Sequence, residues 1–271
     1  MRLSIRHTTR YRFSEPVVHA LQRLRLTPKE TQGQEILLWE MEYDNAAPEL
    51  TYEDQHHNTT TLVSVASDAS LVTITCRGDV DTSDQAGVIG KHAGHLPLWS
   101  FRSQSDLTRP GPKMRALASD LRNRNLGRLD MLHALSAEVI DRVEYKIGST
   151  DVTTRAEEAL GCAAGVCQDH AHIFIGTARL LDVPARYVSG YLMMDDRVEQ
   201  DATHGWAEAY VEGLGWVGFD ISNGISPDQR YVRVATGRDY RDAAPVTGIS
   251  FGTASQELEV EVAVEQRQVQ Q

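Results

Sequence analysis

Long apolar runs, a basic excess and a cysteine framework are all missing from this sequence of 271 residues. No uninterrupted apolar stretch reaches the roughly 18 residues of a membrane-spanning helix, so no membrane partner is expected. The opening Met1-Arg2-Leu3-Ser4-Ile5-Arg6 breaks every apolar stretch with charge and does not resemble a secretory signal. A net charge of −11 argues against nucleic acid or anionic lipid as the main partner. Cys76, Cys162 and Cys167 are too few, and odd in number, for a disulfide scaffold. Free thiols in a reducing compartment follow, with the cytoplasm as the expected location. There is no Asp-x-Asp-x-Asp-Gly calcium loop. Cys162, Cys167, His170 and His172 match no common zinc spacing, and His56-His57 has no third ligand in register. No metal or cofactor is therefore expected. Internal repeats and low-complexity segments are absent too.

What remains is ordinary globular material, 41% hydrophobic and 24% charged, long enough for one large domain or two medium ones. The first 80 or so residues carry strand patterning. Leu3, Ile5, Tyr11 and Phe13 fall at odd positions, against Arg2, Ser4, Arg6, Arg10 and Arg12 at even ones. Further strands are expected at His19–Leu26, Ile36–Tyr43, Thr59–Val65 and Leu71–Val80, divided by turn residues at Thr27-Pro28, Asp44-Asn45, Asp54–Asn58 and Ser67-Asp68. His56-His57 falls in one of these turns and is expected to be solvated. Short strands at this spacing suggest a sandwich-like domain. Arg109-Pro110-Gly111-Pro112 punctuates a boundary, and helical periodicity follows. Asp130 is the expected N-cap of a helix with Leu132, Leu135, Val139, Ile140 and Val143 on one face. Thr154-Arg155-Ala156-Glu157 fits a capping box. A helix from about Cys167 stops before Pro184, and strands are expected at Ala185–Met194, His204–Val211 and Gly215–Ile221. A last strand alternates Leu258, Val260, Val262 and Val264 with Glu257, Glu259 and Glu261, and 267–271 are expected to fray.

Three residues carry the chemistry. Cys167 lies in Gly165-Val166-Cys167-Gln168-Asp169-His170-Ala171-His172, His204 in Thr203-His204-Gly205-Trp206, and Asp220 in Gly215-Trp216-Val217-Gly218-Phe219-Asp220. They supply a nucleophile, a base and an orienting carboxylate. At a helix start, unpaired N–H groups favour a thiolate and can bind an oxyanion. A hairpin turning at Glu212-Gly213-Leu214 pairs Val211 with Gly215 and sets Asp220 diagonally from His204 on one face. A slip of one residue would separate them. His170, three residues after Cys167, is a weaker rival base on the same helical face. Gln168, Trp206 and Trp216 are candidate substrate-binding or oxyanion residues.

These segments, with Pro184-Ala185-Arg186-Tyr187-Val188-Ser189-Gly190-Tyr191 and His204-Gly205-Trp206-Ala207-Glu208, resemble the transglutaminase-like superfamily in its bacterial cysteine-protease branch. Arg6-His7-Thr8-Thr9-Arg10-Tyr11 and Leu24-Arg25-Leu26-Thr27-Pro28 look like the β domain that precedes this core. The resemblance implies an α+β fold: an N-terminal antiparallel β-sandwich-like domain (1–105), a linker (106–112), a papain-like, transglutaminase-like core (113–245), and a C-terminal strand with its tail (246–271). It implies Cys167 as nucleophile, His204 as general base and acid, and Asp220 as its orienting carboxylate. The wiring is more compact than in papain-type peptidases, where the histidine follows roughly 130–150 residues after the cysteine. Two positions depart from the family pattern. Gly205 replaces the usual alanine, which is expected only to loosen the strand start, and Ile221-Ser222 replaces Pro-Thr ahead of Asn223-Gly224.

The expected function is a thiol hydrolase or acyltransferase on amide bonds of a protein or peptide substrate. Hydrolysis and transfer to an amine, as in a protein-glutamine transglutaminase, use the same three residues; the missing calcium loop favours hydrolysis. A non-catalytic scaffold whose β domain binds a partner, and a redox or metal protein using Cys162 and Cys167, are the rival classes. The sequence sets no oligomeric state.

Overall fold

The computed structural model describes residues 1–16, 19–251 and 256–267. Two antiparallel sheets build the N-terminal half. One has the order Glu199–Gln200, Gln256–Gln266, Arg2–Phe13, Leu71–Thr82, Gln34–Asp44; the other runs Val246–Phe251, His19–Leu24, Thr59–Val65, Ala46–Glu53. Tyr11, Val72 and Ile74 from the first sheet and Leu24 and Val63 from the second share one buried cluster. The alternation at Leu3 and Ile5 serves a different core: both side chains join the helical half of the molecule. Asn45, His57 and Asp68 take left-handed backbone conformations at the turns, as short polar side chains tolerate.

The strand Ala46–Glu53 was not apparent in the sequence. It is an edge strand, mostly exposed, and Pro48 stands at a shift of register, where a missing N–H costs no ladder bond. The expected solvated turn at Asp54–Asn58 is largely buried instead: Asp54, His56 and Asn58 are buried, His57 is half-buried and Gln55 is exposed. Asp54 accepts from Arg25 at 2.9 Å and from the amides of His56 and Asn58 at 2.9 and 3.0 Å. His56 is buried with the turn.

The second half packs helices Pro112–Asn123, Arg128–Arg142 and Ala156–Cys162 around Cys167–Leu180, whose residues from Gln168 to Arg179 are all buried. A helix covered on every side is the centre of a core. One face of an antiparallel sheet packs against it, in the order Tyr231–Gly237, Ala185–Leu192, His204–Val211, Gly215–Phe219, Val88–Gly90. Helix starts differ from the expected ones by a few residues. Gly127 precedes the second helix, and Asp130 lies in its first turn, where a carboxylate favours the positive end of the helix dipole. In the third helix Glu158, not Glu157, reaches back to the Arg155 amide at 3.2 Å. Glu157 instead accepts from the amides of Gly111, Lys113 and Met114 at 2.7–3.0 Å and caps the first helix.

The outer edge of the core sheet is covered by side-chain amides. Asn58 donates to Thr236 O and accepts from Thr236 N, both at 2.8 Å. Gln34 does the same with Arg233, at 2.8 and 2.7 Å. Each mimics a strand residue, blunts an edge that would otherwise invite pairing, and joins the two halves. Among the described residues no helix is long and apolar enough to cross a membrane. Residues 268–271, within the stretch expected to fray, lie outside the described residues.

Candidate active site

Cys167 is the first residue of its helix and is partly exposed. The chain enters through a short parallel pairing of Ala164-Gly165 with Glu144-Tyr145. A Cβ on Gly165 would stand 2.7 Å from the Asp169 Cβ, so only glycine lets the entering chain lie this close to the first turn. Asp169 accepts from the Val166 amide at 2.8 Å and from Thr150 Oγ1 at 2.6 Å. Burial pushes its carboxyl up, against those two hydrogen bonds.

The hairpin has the anticipated register, with Val211 opposite Gly215 and Ala207 opposite Phe219. His204 Nε2 donates to Asp220 Oδ2 at 2.7 Å, and the Cys167 thiol lies within hydrogen-bonding reach of the same ring. Burial alone would lower the imidazole pKa. The hydrogen bonds to Asp220 and Cys167, then their charges, outweigh it and raise it to about 10. Asp220 is fully buried, which by itself would raise its carboxyl. Donation from His204, from Tyr231 Oη at 2.6 Å and from Asn223 Nδ2 at 2.7 Å holds it below the usual carboxylate range. Tyr145, Tyr187 and Tyr240 are near enough for the sulfur's charge to add to the effect of burial, and all three phenols are raised.

A pH dependence follows from His204. Its ordinary value is 6.5 and its folded value about 10, so the stability given by its protonated form is full below about pH 6.5 and is lost as pH climbs towards 10. In urea unfolding, the midpoint difference between the parent and His204→Gln should shrink across that window. A difference that grows with pH would contradict the assignment.

The remaining candidates separate. Trp206 packs against the His204 ring, centroids 6.1 Å apart, and edge-on to Tyr231 at 5.5 Å. Gln168 donates its side-chain amide to Val152 O at 3.4 Å. Trp216 donates its single N–H to His92 Nδ1 at 3.1 Å and stacks under the Arg186 guanidinium at 3.8 Å, leaving no indole donor for a substrate oxygen. His170 is no rival base: Nε2 donates to Val143 O at 3.1 Å, Nδ1 accepts from Ser222 Oγ at 2.9 Å, and burial lowers its pKa. It ties the cysteine helix to the turn after Asp220. His172 is buried and accepts from the Tyr240 amide at 3.1 Å.

Gly205 does more than loosen a strand. A Cβ there would stand 2.0 Å from Tyr187 Oη, so the tyrosine occupies the space that an alanine side chain would need. Tyr231, Asn223 and Ser222 were not recognised as site residues. The one available signal was Asn223 three residues after Asp220, the spacing of a turn closed by its own carboxylate. Glu53, His57 and His95 bring three ligand atoms within 4.8 Å, but the two imidazoles are stacked 18° from parallel, so their in-plane lone pairs run side by side rather than converging.

Residues 115–221 match the Transglutaminase-like superfamily, and residues 3–81 match the Bacterial transglutaminase-like N-terminal region. An uncharacterized protein of Mycobacterium tuberculosis is 31% identical over 291 aligned positions, covering 97% of this chain and 92% of its own length. One from Mycobacterium leprae is 25% identical, with 97% and 98% covered. The crystal structure of a "Putative Cysteine Protease" from Cytophaga hutchinsonii has the same fold, with a TM-score of 0.78 at 24% identity over 100% of this chain and 92% of that one. The chain belongs to the transglutaminase-like superfamily, with the bacterial N-terminal region ahead of the core.

Proposed function

We propose that the protein is a thiol-dependent hydrolase of amide bonds. The hydrogen-bonded His204–Asp220 pair, with the Cys167 thiol close enough to raise the imidazole, carries this reading. The sulfur attacks the carbonyl carbon, and His204 gives its proton to the departing nitrogen as the C–N bond breaks. Water then attacks the thioester carbon. His204 takes the water's proton, the C–S bond breaks, and the acid leaves with the enzyme returned to its starting state. The amides of Cys167 and Gln168, ahead of the first backbone hydrogen bond from Asp169 to Val166 O, are suited to the oxyanion. Asp220 fixes the ring tautomer and stabilises the imidazolium. Amine transfer would replace water in the second step alone.

Iodoacetamide labelling at neutral pH, read by peptide mass spectrometry, tests the nucleophile. Cys167 should label faster than the exposed Cys162 although it is less accessible, while the buried Cys76 stays inert. His204→Ala should bring Cys167 to or below the rate of Cys162. Equal rates for Cys162 and Cys167 in the parent, unchanged by the substitution, would favour a scaffold instead.

A further inference from the structure

A cleft of about 710 Å³ opens beside His204. Tyr145, Ile147, Met193, Met194 and Ile225 line it. Three of these are left open to solvent, at 51% for Tyr145, 83% for Ile147 and 37% for Ile225. Exposed apolar side chains gathered around a concavity are the usual lining of a ligand site. Asp195 and Asp196 line the cleft with Arg197 and Arg230; Arg230 lies 3.5 Å from Asp195 and 2.7 Å from Asp228, and Arg197 lies 3.5 Å from Asp196, so the arginines are fully opposed and the excess is acidic. An anionic ligand group therefore meets no unopposed countercharge.

The cleft has a definite place in the reaction, and this step rests on the thiol acyl-transfer reading above. His204 lines it, whereas Cys167 does not appear among its described lining residues. The histidine exchanges its proton with the nitrogen of the bond being broken, so the group on that nitrogen lies on the histidine side of the sulfur. We propose that this cleft is the amine-side subsite, and that it selects substrates with a large uncharged apolar residue, the size of Leu, Met or Phe, directly after the scissile bond.

Acyl-enzyme partitioning tests this without knowledge of the natural substrate. In a Cys162→Ser background, which removes the exposed competing thiol, p-nitrophenyl acetate loads Cys167 and releases p-nitrophenol. The acetyl-enzyme is then divided between water and an added amino-acid amide. An amine attacks the thioester carbon, the C–S bond breaks, and His204 takes the proton that the nitrogen loses. The ratio of N-acetyl amide to acetate should be about tenfold higher for leucinamide or methioninamide than for glycinamide, and lowest for aspartic acid amide. Ile147→Asp, at a position too exposed to endanger folding, should bring the leucinamide ratio towards that of glycinamide. Equal ratios for all amides, or a leucine preference untouched by Ile147→Asp, would overturn the subsite. Release of p-nitrophenol that persists in Cys167→Ala would instead remove the thiol reading, and the subsite with it.

Discussion

Asp220→Asn is expected to lower Cys167-dependent ester turnover by as much as about 10⁴-fold while the protein still folds. Asp220 Oδ2 receives three donors, from His204 at 2.7 Å, Asn223 at 2.7 Å and Tyr231 at 2.6 Å. An asparagine fills the same volume but offers one neutral oxygen, so at least one of these donors is left facing an NH₂ group or a weaker acceptor. The imidazolium loses its buried counter-charge, and the ring is no longer held by a carboxylate at Nε2. Tyr231→Phe removes one donor and keeps the charge, so its effect should be far smaller. Steady-state kinetics on both variants, with circular dichroism as a folding control, decides the matter. A loss below tenfold for Asp220→Asn in a folded protein would mean that the carboxylate has no part in the reaction.

Glu208→Ala should cost about 3–5 kcal/mol of stability, the range for removing one partner from a buried ionic group. Glu208 has no exposed side-chain surface and bridges two arginines on neighbouring strands: Arg186 Nε at 2.6 Å, and Arg233 Nε and Nη2 at 2.6 and 3.1 Å. Burial alone would raise its carboxyl; the two guanidinium charges and their hydrogen bonds instead pull it down to about 2. That stabilisation is present above the ordinary 4.5 and is lost as pH falls towards 2. Truncation leaves two buried cations without a carboxylate. Replacing all three residues together, as Arg186→Met, Glu208→Leu and Arg233→Met, should be far less damaging, because the desolvation cost disappears with the charges. Urea midpoints separate the cases: a Glu208→Ala cost under 1 kcal/mol would show that water reaches the arginines. His204 begins the same strand, so loosening this bridge should also depress turnover.

The features legible in the sequence were those with local signals. The period of two in Arg2–Phe13, the glycine and cysteine at a helix start, and a hairpin whose short loop fixed the register all depend on neighbours in the chain. The strand Tyr231–Gly237 was missed because Arg233 sits in it, and an arginine in an apolar run suggests a solvent-facing position. Its partner Glu208 is 25 positions away, and the burial of the pair exists only in three dimensions. Val88–Gly90 is too short to carry a pattern, yet it extends the core sheet at Trp216 and Val217. The buried turn at Asp54–Asn58 was likewise hidden, since polar turn residues look the same whether they meet water or the carbonyl of Thr236.

The pairing of Gln256–Gln266 with Arg2–Phe13, in which Leu3 lies opposite Gln266 and Phe13 opposite Gln256, bears on the birth of the protein. On a ribosome, the outer edge of that early strand emerges long before its neighbour. Until that neighbour arrives the growing chain carries an open row of amides and carbonyls. The early sheet therefore reaches its final width only after residue 266 has been made and released for pairing. Nascent chains arrested before that point should be the form most prone to stick to one another and most readily held by a chaperone.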